Sequence, residues 1–225
     1  MGKIAASQEY AEPRLERAGK RGRMRLLVEN LAGERGGEPV FDDISFALSD
    51  RQCLVVTGEN GSGKSTLLRI VAGLLPASGG SVTLEGGGEE WPDVMSACHY
   101  LGDRNAMKPA LTVAENLTFR QEFLGRPFLT AAEALEEVGL PSVASLPFGY
   151  LSTGQRRRVA IAGLLVSFRP VWLLDEPTAG LDLGSERRFS ALMQAHLEDG
   201  GIIVAATHVP LGIEGANELV MGGGG

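Results

Sequence analysis

The stretch that most constrains the fold of this chain is a glycine-rich loop at residues 58–66, which reads GENGSGKST. It follows an apolar run, QCLVVTG, that is predicted as a strand, and it leads into KSTLLRIVAGLL, which is predicted as a helix. Glycines at these spacings let successive backbone N–H groups turn toward phosphate oxygens, and the helix start favours negative charge. In this pattern Lys64 reaches the β- and γ-phosphates of a nucleotide, and the Ser65 hydroxyl holds Mg²⁺. The predicted nucleotide contacts of this P-loop are Gly58, Glu59, Asn60, Gly61, Ser62, Gly63, Lys64, Ser65 and Thr66.

Strand-like and helix-like segments alternate on both sides of the P-loop. Two short strand-like runs, RLLVENL and PVFDDISFAL, precede it, and GSVTLEG follows its helix. Residues 104–165 change to helical patterning, in TVAENLTFRQEFLG, TAAEALEEVGL and STGQRRRVAIAGLLVSF. Two buried-strand runs, VWLLDEP and GIIVAATH, then flank a further helix. This order predicts an α/β fold whose parallel sheet is covered on both faces and interrupted by a helical insert.

Composition limits the classes of function that the chain can serve. Its 225 residues, 44% of them hydrophobic, are enough to bury one substantial core. The net charge of −7 argues against a general nucleic-acid-binding protein, since such proteins need an excess of Lys and Arg. No apolar run approaches the about 20 residues that cross a bilayer, so a membrane role requires a partner. The two cysteines, Cys53 and Cys98, lie in apolar stretches and are expected to be unpaired.

The two ends of the chain are expected to lie outside the folded domain. Residues 1–23 are polar and lack apolar periodicity, which predicts a flexible extension. Residues 223–225 are glycines that end the chain, and we expect them to be disordered. A single domain is therefore predicted over residues 24–222.

Acidic and imidazole side chains follow the two buried strands that come after the helical stretch. Asp175 and Glu176 end VWLLDEP, and His208 ends GIIVAATH. In open α/β sheets the carboxyl ends of the strands face the ligand crevice. We expect Asp175 to hold Mg²⁺ through the water shell of the ion, Glu176 to polarise the attacking water, and His208 to donate to the γ-phosphate. His99 and His196 are expected to be structural or solvent-facing.

Two further stretches, LSTGQRRRVAIAGLL and DEPTAGLD, complete a set that resembles the ABC-type ATPases. The resemblance covers residues 24–222 and implies a P-loop NTPase of ABC type, with a RecA-like parallel-sheet core, an antiparallel β subdomain and a helical subdomain at 104–165. It also implies a head-to-tail dimer of cassettes, in which the signature segment of one copy, residues 151–155, meets the ATP of the other. Carried onto this chain, that contact involves Ser152, Gly154 and Gln155, with Asp182 in the adjoining D-loop.

The chain departs from the common ABC pattern at three positions. Thr153 replaces the first glycine of the usual signature pair. Arg35 stands where most cassettes place an aromatic residue that stacks on adenine, and a guanidinium can also stack on a base. Asp103 falls on or near the position of a Mg²⁺-contacting glutamine, so we expect a carboxylate to attract the cation there.

Several longer stretches resemble the cytochrome c maturation branch of this family. They include YLGDRNAMKPALTVAENLTF and ATHVPLGIEGANEL. The resemblance implies a Mg²⁺-dependent ATPase that lies peripherally on the cytoplasmic face of the bacterial inner membrane and is bound to integral membrane subunits of the cytochrome c maturation complex. Its hydrolysis would drive haem export or the release of a haem-loaded chaperone.

Three alternatives stay open at the level of sequence. An ATPase subunit of a transporter for another substrate would keep every motif. A soluble ABC-type regulator of ribosomes or DNA usually has two cassettes, a coiled-coil insert or a basic surface, and this chain shows none of these in its sequence. A nucleotide-binding scaffold without turnover is disfavoured because Lys64, Asp175, Glu176 and His208 are all present.

Overall fold

A computed structural model of the chain describes residues 23–104 and 106–222. The predicted N-terminal extension, apart from Arg23, and the predicted tail at 223–225 lie outside the described residues. The strands are β1 (Arg25–Arg35), β2 (Glu38–Ser49), β3 (Cys53–Gly58), β4 (Gly79–Glu85), β5 (Cys98–Leu101), β6 (Val171–Asp175), β7 (Ile202–Ala206) and β8 (Asn217–Met221). The α-helices are α1 (Lys64–Val71), α2 (Val94–Ala97), α3 (Val113–Leu124), α4 (Ala131–Glu137), α5 (Thr153–Leu165) and α6 (Leu183–Glu198), and a 3₁₀ turn spans Phe148–Tyr150.

Five strands form the central sheet, in the order β5-β6-β7-β3-β8, and every pair in it is parallel. All residues of β6 and β7 are buried, because helices cover both faces of the sheet and each strand is an unbroken apolar run. Strand β7 lies between β3 and β6, so the segments that follow these three strands meet at one edge. The predicted parallel-sheet core is confirmed, and its carboxyl edge carries the P-loop, Glu176 and His208.

A separate antiparallel sheet of three strands, in the order β2-β1-β4, forms the predicted β subdomain. The alternation in β1 turns Leu26 and Val28 into the core, where Leu26 faces Leu48 of β2 and Leu84 of β4. Helix α1 packs against β1. This packing brings Arg35, at the end of β1, to the side of the P-loop.

Helices α3, α4 and α5 occupy the stretch that the sequence predicts as helical. Each begins with a capping box. The Thr or Ser side chain before the helix accepts from the backbone N–H of the third helical residue, and the Glu or Gln side chain of that residue accepts from the backbone N–H of the Thr or Ser. The buried apolar side chains of these helices form one cluster with those of α6 and with Trp172 and Leu174 of β6. Among the described residues, no helix has both the length and the apolar character needed to cross a membrane.

Three short elements are not predicted by the sequence patterns. Strand β5 has four residues and pairs with β6, while β8 pairs with β3 at the opposite edge of the sheet and is largely exposed. Helix α2 is a single turn that begins with an Asp93 cap. Segments this short show too few repeats for a hydrophobic period to appear.

The two cysteines and the two remaining histidines are buried or partly buried. Cys53 and Cys98 are both free, and burial raises the pKa of each thiol to about 12. His99 is buried, and its Nε2–H donates to the Ser167 carbonyl at 2.7 Å. His196 is also buried and stacks on Trp172, with ring centroids 4.0 Å apart. Both histidines are therefore structural rather than solvent-facing.

Candidate nucleotide-binding site

The P-loop, residues 58–66, leaves β3 and enters α1. The Lys64 side chain is buried along the loop, and its ammonium donates to the carbonyls of Gly58 and Glu59, at 2.8 Å each. Gly61 and Gly63 have φ values of 89° and 95°, a left-handed conformation that favours glycine. A side chain at Gly63 would also meet Val40 at 2.6 Å. These glycines allow the loop to close tightly around the lysine.

One buried polar atom of the P-loop lacks an internal partner. Within the described part of the chain, the Ser62 hydroxyl is buried and makes no hydrogen bond. Such groups are rare, because a buried hydroxyl without a partner costs about 1–3 kcal/mol. The N-terminal N–H groups of α1 face the same loop, since the first turn of a helix has no backbone acceptors for them. The donors of this loop therefore suit an external anion such as a phosphate.

Asp175 is the centre of a chain of hydrogen bonds that begins at the P-loop. The Ser65 hydroxyl donates to its Oδ1 at 2.9 Å, and the Tyr100 hydroxyl donates to its Oδ2 at 3.0 Å. Tyr100 in turn accepts from Arg69 Nε at 3.1 Å. Burial raises the pKa of Tyr100 to about 12, so the phenol stays protonated and remains a donor. The carboxylate of Asp175, at 6% exposure, is thus held in a fixed orientation.

The oxygen atoms of Ser65 and Asp175 fit a magnesium ion. A hydroxyl and a carboxylate are hard oxygen ligands, the type that Mg²⁺ prefers beside phosphates. They lie in contact at the start of α1, next to the loop that suits the phosphates. Tyr100 and Arg69, which orient Asp175, are not found by sequence reasoning, because their contact depends on the pairing of β5 with β6.

Glu176 and His208 meet at the same edge. Glu176 has a φ of 43°, an uncommon value for a residue with a side chain, and its backbone N–H donates to Ala206 O at 2.8 Å. His208 Nε2 lies 3.5 Å from Glu176 Oε1. The Nε2–H donates to Asn60 Oδ1 at 3.0 Å, so the histidine links the end of β7 to the P-loop. The structure thus brings together the predicted base, the predicted γ-phosphate donor and the loop.

A cleft of about 290 Å³ opens over the P-loop. Its walls are Arg35, Val40, Asn60, Gly61, Gly63, Lys64, Ser65, Thr66, Asp175, Glu176 and His208. Arg35 and Val40 come from the antiparallel sheet and form the side of the cleft away from the strand ends. The stacking of Arg35 on a base stays a prediction, and its place beside the P-loop is compatible with it.

A second cleft, of about 400 Å³, adjoins the first at Ser65, Asp175 and Glu176. Its other lining residues are Arg69, Asp103, Thr153, Arg157 and Ala179. Asp103 is largely exposed, and its Oδ1 lies 3.6 Å from Arg69 Nη2. A metal contact by Asp103 stays a prediction. Its ion pair with Arg69 attaches it indirectly to Tyr100 and Asp175.

The signature segment has local roles of its own. The Ser152 hydroxyl caps α5 by accepting from Gln155 N at 3.3 Å, and Gln155 Oε1 accepts from Ser152 N at 2.9 Å. Asp182 caps α6 with a single bond, accepting from Ser185 N at 2.8 Å, and this bond lowers its pKa. The contact of Ser152, Gly154, Gln155 and Asp182 with nucleotide stays a prediction.

Sequence reasoning also misses Arg157, which is buried beneath this site. Its guanidinium donates to the carbonyls of Gly102 and Glu176, at 2.6 Å each, and to those of Asp175 and Pro177, at 3.1 Å each. The sequence gives no signal that separates Arg157 from its neighbours, because Arg156, Arg157 and Arg158 each precede two apolar residues by three and four positions.

The chain is similar over most of its length to known proteins of one family. The profile of the ABC transporter family matches residues 41–179. The chain is 66% identical over 201 residues to the cytochrome c biogenesis ATP-binding export protein CcmA of Chelativorans sp. (strain BNC1), which covers 89% of this chain and 100% of that protein. Proteins of the same name from Brucella abortus (strain 2308) and Rhizobium meliloti (strain 1021) are 61% and 57% identical. These matches cover 86% and 89% of this chain, and 89% and 99% of those proteins.

Solved structures show the same fold. A putative ABC transporter ATP-binding protein from Pyrococcus furiosus has a TM-score of 0.74 at 20% identity, over 88% of this chain and 97% of that one. The ATP-binding cassette MJ0796, solved as a dimer in a post-hydrolysis state bound to ADP and Pi, has a TM-score of 0.70 at 25% identity, over 82% and 88% of the two chains. The chain therefore belongs to the ABC transporter family, in its branch of cytochrome c biogenesis ATP-binding export proteins.

Proposed function

We propose that this chain is the Mg²⁺-dependent ATP-hydrolysing subunit of a membrane ABC complex that serves c-type cytochrome biogenesis. One observation carries the proposal. Lys64, Ser65, Asp175, Glu176 and His208 come from three strand ends, and they line one cleft beside the P-loop. The relatives named as cytochrome c biogenesis ATP-binding export proteins support the cellular role.

The P-loop binds the phosphates of ATP. Lys64 exchanges its carbonyl partners, Gly58 and Glu59, for β- and γ-phosphate oxygens, and the Ser62 hydroxyl gains a partner. Ser65 and Asp175 hold the Mg²⁺ ion, which neutralises phosphate charge when it is bound. The Arg35 guanidinium packs over the base at the far side of the cleft.

Hydrolysis requires a base on the γ-phosphate side of the site. Glu176 takes a proton from the attacking water as the water oxygen bonds to the γ-phosphorus and the bond to the ADP oxygen breaks. His208 turns its Nε2–H from Asn60 Oδ1 to a γ-phosphate oxygen, where it stabilises the charge that develops there. His208 Nε2 lies 3.5 Å from Glu176 Oε1, so the two side chains are near enough to act on the same γ-phosphate and its attacking water.

Two copies of the chain form a head-to-tail dimer around the nucleotides. The signature segment begins helix α5, and a helix start presents N–H groups that favour an anion. Ser152 and Gly154 of one copy then contact the γ-phosphate held by the P-loop of the other. Gln155 and Asp182 border the same contact. The dimeric ATP-binding cassette MJ0796 bound to ADP and Pi supports this assembly.

The dimer works on integral membrane subunits of the cytochrome c maturation complex. It lies peripherally on the cytoplasmic face of the inner membrane, and its hydrolysis drives haem export or the release of a haem-loaded chaperone. The relatives are named as ATP-binding export proteins of cytochrome c biogenesis, which supports membrane association and this class of partner.

A genetic experiment tests the proposal. A strain that lacks this chain is complemented with wild type, with Lys64→Ala, or with Arg187→Ala, which removes an exposed cation on α6. We expect holo-cytochrome c with wild type and Arg187→Ala, and its loss with Lys64→Ala, since the phosphate contact is removed. Normal holo-cytochrome c in the Lys64→Ala strain would overturn the assignment.

A further inference from the structure

Arg157 makes an unusual set of contacts for a residue on a helix that packs into the core. It lies one turn into α5 and is only 7% exposed. Its Nη1 donates to Gly102 O, its Nε to Pro177 O, and its Nη2 to both Asp175 O and Glu176 O. All four acceptors are backbone carbonyls. The side chain therefore holds the main chain in place, and its contacts do not depend on the side chains of the residues that it meets.

The three consecutive carbonyls that Arg157 contacts belong to the turn that presents the proposed base. Glu176 in this turn has a φ of 43°, and such a conformation costs about 1–3 kcal/mol and persists only where the surroundings hold it. Buried carbonyls without donors add to that cost. The guanidinium supplies donors to all three. Its five N–H groups and planar shape suit this task better than any other side chain.

The same guanidinium joins three parts of the site. Helix α5 carries Arg157 and begins at the signature segment, so Ser152 lies five residues before it. The Gly102 carbonyl immediately precedes Asp103. A shift of α5 therefore moves the donors that hold both the Glu176 turn and the segment before Asp103. Arg157 also lines the second cleft, next to Asp175 and Glu176, without reaching the P-loop itself.

We propose that Arg157 is a positioning residue for hydrolysis, which holds the main chain of residues 175–177 so that the Glu176 carboxylate is aimed at the attacking water. It transmits the position of the signature helix to that base. The inference rests on the proposed function, because it takes Glu176 to be the base. It adds a residue that acts through Glu176 and contacts neither nucleotide nor metal.

The chain offers a matched control for this residue. Arg169 is also an arginine at 7% exposure, and it donates to the carbonyls of Leu124 and Phe168, at 2.6 and 2.8 Å. It lies just before β6, at the end of that strand opposite Asp175. Arg169→Gln therefore removes comparable packing and hydrogen bonds far from the base. Arg157→Gln and Arg157→Lys are compared with it in the full-length chain.

The first readout is ATP turnover. We expect Arg157→Gln to lower kcat by about tenfold to a hundredfold, since a misplaced catalytic group is costly, with KM for ATP changed by less than about twofold. Arg157→Lys should recover part of the loss, because an ammonium still donates to some of the carbonyls. Arg169→Gln should lower Tm by a similar amount and leave kcat within about twofold of wild type. Equal losses of kcat in the two Gln variants would overturn the proposal.

A double mutant separates positioning of the base from general damage. If Arg157 acts through Glu176, adding Arg157→Gln to Glu176→Gln should reduce the residual single-turnover rate by less than about twofold, because effects on one functional unit are not additive. If Arg157→Gln lowered the single-turnover rate by the same factor in wild type and in Glu176→Gln, Arg157 would not act through the base.

Hydrogen exchange provides a readout that does not depend on turnover. The Ala179 N–H donates to Glu176 O at 3.2 Å, so its exchange reports on the order of this turn. We expect faster deuterium uptake in peptides covering residues 175–181 in Arg157→Gln than in wild type, and no change there in Arg169→Gln. Unchanged uptake in Arg157→Gln would overturn the inference. Equal turnover by wild type and Glu176→Gln would instead overturn the assignment of the base, and the exchange result would still stand.

Discussion

The Ser65 hydroxyl donates a 2.9 Å hydrogen bond to Oδ1 of Asp175 across 110 positions of sequence. The contact joins the first turn of α1 to the end of β6. It places a hydroxyl and a carboxylate side by side, next to the loop that suits phosphates. Because Ser65 belongs to α1 and Asp175 to β6, the affinity for the metal depends on how these two elements are placed relative to each other.

The first prediction concerns this pair. Asp175→Asn keeps the shape of the side chain and an acceptor for Ser65, but it removes the negative charge that attracts a divalent cation. We expect the gain in ATP affinity on adding Mg²⁺ to fall by about tenfold, measured by calorimetry with Mg²⁺ and with EDTA. Asp42→Asn, at an exposed position on β2, serves as the control. A gain equal to that of wild type would contradict a metal role for Asp175.

The second prediction concerns Glu176. The amide in Glu176→Gln cannot take a proton, so we expect ATP hydrolysis to fall by about 10²- to 10⁴-fold while ATP still binds. A closed dimer should then accumulate, and gel filtration with ATP and Mg²⁺ should show it. Adding Lys64→Ala to this variant should return the monomer, because the phosphate contact is lost. Monomer alone with Glu176→Gln would contradict the head-to-tail assembly.

The third prediction concerns Tyr100, which connects Arg69 to Asp175. Tyr100→Phe removes a donor to the buried carboxylate and leaves Arg69 Nε without its acceptor. We expect the free energy of unfolding to fall by about 1–3 kcal/mol, measured by urea titration. Tyr150→Phe, at 84% exposure, should change it by less than about 0.5 kcal/mol. Similar values for the two variants would mean that the Tyr100 hydroxyl is not a structural donor.

The fourth prediction concerns pH and His99. Burial, together with the nearby Arg120, lowers the pKa of His99 well below its usual value of 6.5, so the native imidazole is neutral. Below pH 6.5 the unfolded chain takes up a proton that the native chain does not, and stability falls as the pH falls. Between pH 7 and pH 5 the unfolded pKa of 6.5 limits the loss of stability from this residue to at most about 2 kcal/mol.

The matched variant for this prediction is His99→Gln, whose side chain has no titrating group. We expect it to be less stable than wild type at pH 7, because the bond to Ser167 O is weakened, and to have a shallower decline toward pH 5. Urea titrations at the two pH values measure both effects. An equal decline in the two proteins would place the titrating group elsewhere.

The sequence predicts the parts of this protein that depend on local spacing. Residues 58–66 and the acid pair at the end of β6 are found because a motif and a buried strand identify them together. The α/β core is confirmed for the same reason, whereas the antiparallel subdomain, which the structure also confirms, is implied by the resemblance to ABC-type ATPases. Tyr100 and Arg157 are missed because their partners are brought near by strand order and helix packing, which no short pattern contains.

The capping box at Ser152 has a consequence for recognition. In accepting from Gln155 N, the Ser152 oxygen uses a lone pair, and its hydroxyl proton stays available for a second partner. The internal bond fixes where the oxygen lies, so the direction of that proton is restricted before any partner arrives. An anion that approaches the start of α5 therefore meets a donor that is already ordered, because folding has already restricted the Ser152 side chain. The helix keeps its cap while the anion binds.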